Sequence, residues 1–244
     1  MHSCDARFSR HLETYEDNAS VQKALADAVV SKLAARCRKN RFGRVLDLGC
    51  GTGLLTRRFL RDFSCREIFL YDLLPECGKF LSDIPRSRFF SLDLNAPGLL
   101  PPADVILSGA CCQWLKEPRV LFRAAAQALP RGGFFAGSAF AAGNLEELAR
   151  CGGSPLVCPA AETWRGTLAE CGFLPEDFAC FTETLYFPSP AAALRHLKKT
   201  GVLTPALKNC AEVRRFLDRY EKLRRPDRGI PLTYRPVLWV ARKA

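Results

Sequence analysis

The sequence predicts an α/β fold: a mostly parallel sheet with helices on both faces and a helical lid inserted late in the chain. Three observations carry this. Apolar runs of strand length alternate with stretches of helical length between residues 18 and 139, and such alternation needs crossovers that cover both faces of a parallel sheet. The first strand runs into a turn with glycine at 49, 51 and 53 before a helix. After Gly143 the alternation gives way to closely spaced helices. At 244 residues the chain can bury a full core. One domain over 1–244 is expected, with an N-terminal helical segment (1–40) and the lid at about 144–225.

In chain order, residues 18–38 read as an amphipathic helix with Val21, Leu25, Ala28, Val29 and Leu33 on one face and Asn18 or Ser20 as N-cap. Strands are expected near 44–48, 67–72, 88–92 and 103–108, and helices near 54–63, 75–82 and 117–129. Arg131-Gly132-Gly133 stops the last helix and feeds an apolar strand near 134–139. A helix from Asn144, another over about 161–171, a strand-like run over 181–187 and helices near 190–200 and 210–223 come next. The final strand is Leu232 to Ala241. There are no repeats, low-complexity segments or linkers.

Composition narrows the function. No apolar run approaches the ~20 residues that span a bilayer, and MHSCDARFSRH lacks the apolar segment of a secretory signal. A cytoplasmic protein without a membrane partner is expected. The twelve cysteines contain no C-x-x-C and only one adjacent pair, Cys111-Cys112. Several, such as Cys50 and Cys180, sit in apolar or Gly-rich runs, where free cysteine behaves as a small hydrophobe. With three histidines and no paired Cys/His clusters, no metal site is expected. The net charge of +11 is uneven: from Arg195 onward 14 Lys and Arg face 4 Asp and Glu, a surplus of +10. A second basic cluster spans Arg36 to Arg44. Such asymmetry suits an acidic partner, or a solvated basic face with none.

The most informative stretch is VLDLGCGTG, Val45 to Gly53. Val45, Leu46 and Leu48 read as a buried strand, and the glycines let the backbone take positive φ and let a ligand approach closely. Asp47 sits in the strand end, and Asp72 ends the next apolar run, where a ribose-binding carboxylate belongs. Thr52 and Gly53 follow Gly51, so the GxGxxG spacing of dinucleotide folds is not met. The pattern resembles motif I of the class I S-adenosylmethionine methyltransferases. That resemblance implies a Rossmann-like seven-stranded sheet whose last strand is antiparallel. It also implies that Asp47, Gly49, Cys50, Gly51 and Gly53 receive the amino-acid part of the cofactor. Asp72, with Leu73, would meet the ribose. Asp93 would accept the adenine amine while Leu94 packs on the ring. Ala110 and Gln113, after the fourth strand, would complete the site.

The chain ends carry a narrower resemblance. FSRHLETYEDNASVQ (Phe8 to Gln22) matches, through Phe8, Arg10, Tyr15, Ala19 and Gln22, the F-x-R-A-A-x-x-Y-D-x-x-A-x-L-Q segment of the biotin-pathway malonyl-acyl-carrier-protein O-methyltransferases. Gln113 and Trp114 resemble that family's V-Q-W-C, Ala193 to Val202 its Arg-x-Leu-Lys-x-x-Gly helix, and IPLTYRPVLWVARK its P-L-T-Y…V-A-R terminus. His11-Leu12 and Glu16 depart from the pattern, and 150–180 matches poorly. The resemblance implies methyl transfer from S-adenosylmethionine to the free carboxylate of a malonyl thioester, leaving S-adenosylhomocysteine. The implied partner is an acidic acyl-carrier protein carrying malonyl, or malonyl-coenzyme A.

The chemistry is consistent with the residues. A carboxylate with a reference pKa near 4 is ionised at neutral pH and needs no general base. His2, His11 and His196 occupy no strand end suited to one. Positioning can supply up to ~7–11 kcal/mol, and a lid that excludes water favours a reaction in which anion and sulfonium neutralise. Arg195 is the first candidate to hold the carboxylate through its planar fork, against a solvent-facing helix arginine. Arg10 is the second. Tyr15 is expected to cover the cofactor, and Trp114 and Trp239 to be core or pocket wall. Two rivals remain: a methyltransferase of another small carboxylate or quinone precursor, and an RNA-binding methyltransferase-like protein. The basic C-terminal fifth lacks interleaved aromatics for base stacking apart from Phe216 and Tyr220, which argues against nucleic acid.

Overall fold

The computed structural model describes residue 9, residues 12–202 and residues 209–244. Two helices, α1 (Leu12–Asn18) and α2 (Ser20–Arg36), lead into β1 (Arg41–Leu48), α3 (Leu54–Asp62) and β2 (Ser64–Asp72). A short 3-10 segment (Pro75–Phe80), β3 (Ser87–Ser91), β4 (Val105–Gly109), α4 (Pro118–Ala128) and β5 (Phe134–Phe140) follow. Next come α5 (Glu146–Arg150), α6 (Ala161–Glu170), β6 (Phe173–Cys180), β7 (Glu183–Phe187), α7 (Pro190–Lys199), α8 (Cys210–Glu221), β8 (Ile230–Tyr234) and β9 (Pro236–Lys243).

The seven-stranded sheet has the order β3-β2-β1-β4-β5-β9-β6. β1 to β5 pair in parallel, and β9 runs antiparallel to both β5 and β6, as expected for the last strand. Val45, Leu46 and Leu48 are fully buried because a doubly covered parallel strand needs apolar side chains on both faces. Leu46, Phe122, Phe135, Trp164 and Trp239 fill the core on one side of the sheet. Val45, Phe59, Ile68 and Val105 fill the other, against α2 and α3. A third cluster joins Val21 and Leu25 of α2 to Leu197, Phe216, Tyr220 and Tyr234, fastening the late helices over the sheet. No described helix is long and apolar enough to cross a membrane.

The departures from expectation are local. The helix read over 18–38 is present as α2, but a second short helix, α1, precedes it across the buried Ala19, and the helix read over 75–82 is only the 3-10 segment. β6 was not expected, because FLPEDFAC carries a proline and two acids. It is an edge strand, where a proline costs no central ladder bond, and its register shifts between Pro175 and Asp177. Its acids find distant cations: Asp177 pairs with Lys32 at 2.7 Å and Glu176 with Arg242. The single final strand is two. β8 pairs with β7 in a separate two-stranded sheet, and after Arg235 the chain crosses to become β9. Gly137 lets Trp239 of β9 pack flat against β5, since a Cβ there would lie 2.5 Å from the Ser108 carbonyl oxygen and 2.7 Å from the Trp239 ring. Trp239 is therefore core, stacked on Trp164 with centroids 6.3 Å apart, while Trp114 is pocket wall.

Candidate functional site

β1 is flanked by β2 on one side and β4 on the other, so the chain reverses its winding direction between β1 and β4. Open α/β sheets bind ligands outside the carboxyl ends of the strands at this switch point. A cavity opens there. Its floor is the glycine turn, where Gly49 and Gly51 have φ of 78° and 53° and the N–H groups of Gly49 and Cys50 both donate to the Tyr71 carbonyl. A Cβ on Gly49 would lie 2.1 Å from Cys111 Sγ, so the turn packs directly on the loop after β4. Gly53 differs from expectation. It is not in the cavity wall, and a Cβ there would strike Ile84 and Leu81 at 2.7 and 2.8 Å. It serves helix packing, where its φ of 86° starts α3.

Asp47, Gly49, Cys50, Gly51, Asp72, Leu73, Asp93, Leu94, Ala110 and Gln113 all line the cavity, as does Tyr15. The ends of β1, β2, β3 and β4 thus bring together residues from Asp47 to Gln113. Asp72 Oδ2 accepts from the Gly51 N–H at 2.9 Å and Oδ1 from the Leu74 N–H at 3.1 Å, coupling the turn to the end of β2. Burial raises its carboxyl above the usual range, and those N–H donors oppose the rise. Asp47 is fully buried and pushed up to about 6, chiefly by burial, with the Thr56 hydroxyl opposing and the Asp72 charge adding to it. Thr56 occupies Oδ2, leaving Oδ1 buried without a partner. Gln113 donates from Nε2 to the Ala110 carbonyl at 2.6 Å, and its Oε1 is likewise buried and unpartnered. Asp93 Oδ1 accepts from the backbone and side chain of Asn95, both at 2.8 Å. Burial together with Glu16 and Asp72 raises the Tyr15 phenol, so it is neutral.

Among the described residues, no Lys, Arg or His is in the wall, whose charged groups are Asp47, Asp72 and Asp93. Such a wall disfavours phosphate. It suits a ligand that brings positive charge and hydrogen-bond donors, which the ammonium, sulfonium and ribose hydroxyls of S-adenosylmethionine do.

The expected carboxylate-binding arginine is not at the cavity. α7 buries Pro190, Ala193 and Leu197, and Arg195 is exposed on the helix's other side, outside the wall. Arg10 lies outside the described residues. What α7 does present is the next residue, His196, whose Nε2 is 3.0 Å from Oη of the wall residue Tyr234. Asn144 and Thr200 also line the cavity. These were missed because none carries a charge at neutral pH, and only the position of Tyr234 within P-L-T-Y hinted at a role. Phe216 and Tyr220 are buried against each other, 5.8 Å between centroids, and offer no stacking platform for bases.

Residues 18–166 match a protein family described as a methyltransferase domain. The chain is 35% identical to the malonyl-acyl-carrier-protein O-methyltransferase of Chlorobium phaeovibrioides, over 97% of this chain and 94% of that one. It is 34% identical to the enzyme of the same name from Chlorobium luteolum, over 97% and 93%. Among solved structures, the N-methyltransferase NodS of Bradyrhizobium japonicum in complex with S-adenosylhomocysteine superposes with a TM-score of 0.60 at 12% identity, covering 99% of both chains.

Proposed function

This chain belongs to the malonyl-acyl-carrier-protein O-methyltransferase family, and from that premise we propose how its cavity performs the reaction. The activity is S-adenosylmethionine-dependent methylation of malonyl-acyl-carrier protein at its free carboxylate, an early step toward pimelate and biotin. When bound, S-adenosylmethionine supplies an electrophilic methyl carbon: the carboxylate oxygen takes it as the carbon–sulfur bond breaks, the electron pair stays on sulfur and no proton moves.

The glycine turn and Asp47 hold the amino-acid part of the cofactor, with Asp47 Oδ1 and Gln113 Oε1 as acceptors for its ammonium. Asp72 takes the ribose, and Asp93 and Leu94 the adenine. Tyr15 closes the cavity from α1, and the lid helices exclude water. The observation that carries this reading is the cavity itself, at the switch point, whose described charged groups are all carboxylates.

The carrier protein's approach follows from the surface. Arg195, Lys198 and Lys199 are exposed on α7 immediately before the wall segment Thr200–Val202. Arg235 is exposed beside Tyr234, its backbone N–H donating to Asn144 Oδ1 at 3.0 Å. An acidic carrier docking on these cations presents its malonyl group to the cavity. Incubation with labelled S-adenosylmethionine and malonyl-acyl-carrier protein tests the reading: a base-labile malonyl methyl ester supports it, and no labelled ester from any malonyl thioester rejects it.

A further inference from the structure

We propose that the substrate carboxylate is read by the neutral phenol of Tyr234, aimed by His196, and not by the guanidinium of Arg195. The inference rests on the carboxylate-methylation reading above and adds the group that recognises the acceptor.

Tyr234 is 1% exposed and is one of the residues lining the cavity. Its neighbours fix it on both sides. Glu147 accepts from the N–H and hydroxyl of Thr233, and Asn144 accepts from the N–H of Arg235. The backbone on both sides of Tyr234 is thereby held, its ring packs on Phe140 with centroids 5.8 Å apart, and Oη meets His196 Nε2 at 3.0 Å. His196 is held in turn by the Phe187 ring, 5.1 Å away, and by α7, which Ser189 caps and Pro190 starts. The charged or titratable groups that act on the pair include Lys199 on α7, Tyr15 on α1 and Tyr220 on α8. Burial and the Lys199 charge lower the imidazole below its ordinary range, so it is neutral at physiological pH.

A neutral imidazole has two tautomers, and they present opposite faces of the phenol. With the proton on Nε2, His196 donates to Oη, and the phenolic O–H is free to donate into the cavity. With the proton on Nδ1, Tyr234 donates to His196 and turns lone pairs toward the ligand. An anion selects the first arrangement, because only that one offers it a proton. A neutral acyl group such as acetyl has nothing to select it with.

Charge explains the choice of a phenol. The reaction converts an anion and a cation into two neutral products. A buried guanidinium paired with the carboxylate would be left unpaired beside the ester, which costs free energy and retards the forward step. A phenol orients the anion and is still satisfied, through His196, when the charge has gone.

The test uses the full-length enzyme, malonyl-acyl-carrier protein and a short malonyl thioester, with variants Tyr234→Phe, His196→Leu and His196→Gln. One hydrogen bond to a charged group corresponds to a roughly ten- to hundredfold effect. Tyr234→Phe and His196→Leu are expected to raise KM for both malonyl substrates by at least about tenfold. Calorimetric affinity for S-adenosylhomocysteine stays at the wild-type value, and affinity of the loaded enzyme for the short thioester falls with KM. His196→Gln, which keeps an N–H donor near Nε2, restores most of the loss. Wild-type malonyl KM in Tyr234→Phe, equal behaviour of the Leu and Gln variants, or a parallel loss of S-adenosylhomocysteine binding would each overturn the inference while leaving the methyltransferase reading intact. A wild-type enzyme that esterifies no malonyl thioester removes that reading, and this inference falls with it.

Discussion

At Asp47, burial works against ionisation. The unfolded chain titrates this carboxyl near its ordinary value of 3.8, whereas the fold pushes it up to about 6. The folded state therefore binds the proton more tightly, and the Asp47 contribution to stability falls as pH rises from about 4 to about 6, then stays level. A displacement of that size is at most about 3 kcal/mol. Asp47→Asn is expected to melt higher than the wild type at pH 7 in the ligand-free state, with the advantage shrinking toward pH 4. The same variant binds S-adenosylmethionine more weakly, and wild-type affinity declines as pH falls through 6. Thermal melts at several pH values with matched calorimetry check both halves, and a lower melting temperature at pH 7 would count against an ionised, strained Asp47. Asp72 offers a contrast, because its oxygens already hold the N–H groups of Gly51 and Leu74. Asp72→Ala should cost about 1.5–3 kcal/mol per lost charged hydrogen bond in cofactor affinity. Unchanged calorimetric binding would remove Asp72 from the site.

Elements decide which side of a residue is used. On α7 one step along the helix, about a hundred degrees of rotation, separates the exposed Arg195 from His196 against Tyr234. The buried triplet Pro190, Ala193 and Leu197 sets that rotation, and nothing in the charge pattern does. α5 has a comparable role at the start of the lid. Its Glu147 is 3% exposed and accepts from both the backbone and the hydroxyl of Thr233, so it anchors β8 and the tyrosine after it. Glu147→Ala strands a backbone N–H of β8 and should lower stability by about 1–3 kcal/mol, read as an earlier denaturation midpoint at unchanged slope. Glu147→Gln keeps an acceptor and should lose less. Equal midpoints for the Ala variant and the wild type would show that β8 is held by its other contacts.

Over the whole molecule, charge and chemistry are segregated. The described cavity wall is acidic or neutral, while a +10 surplus falls in the sequence from Arg195 onward. Charge steering accelerates association and is screened over ~8 Å at physiological salt. Turnover of malonyl-acyl-carrier protein should therefore fall as salt rises, more steeply than turnover of a short malonyl thioester. Arg195→Glu with Lys199→Glu should flatten that difference without changing S-adenosylhomocysteine binding. Parallel salt curves for the two substrates would assign the basic surface another purpose.

The sequence by itself determined the sheet and most of the residues that line the cavity at its switch point. Apolar runs such as Val45–Leu48 form buried strands wherever they are covered on both faces, and Gly49 and Gly51 dictate a turn that no other residue adopts cheaply, so this information is local. Asp47, Asp72 and Asp93 could be read because strand ends converge at a switch point in any fold of this order. Tertiary structure decided what depends on contacts far apart in the chain. β6 is a strand despite Pro175 because it lies at an edge and its acids meet Lys32 and Arg242. Gly53 lies outside the cavity wall because Leu81 and Ile84 arrive beside it. The proposed substrate side depends most on such contacts. Tyr234 and His196 are 38 positions apart, and only the folding of α7 onto β8 brings them within hydrogen-bond distance.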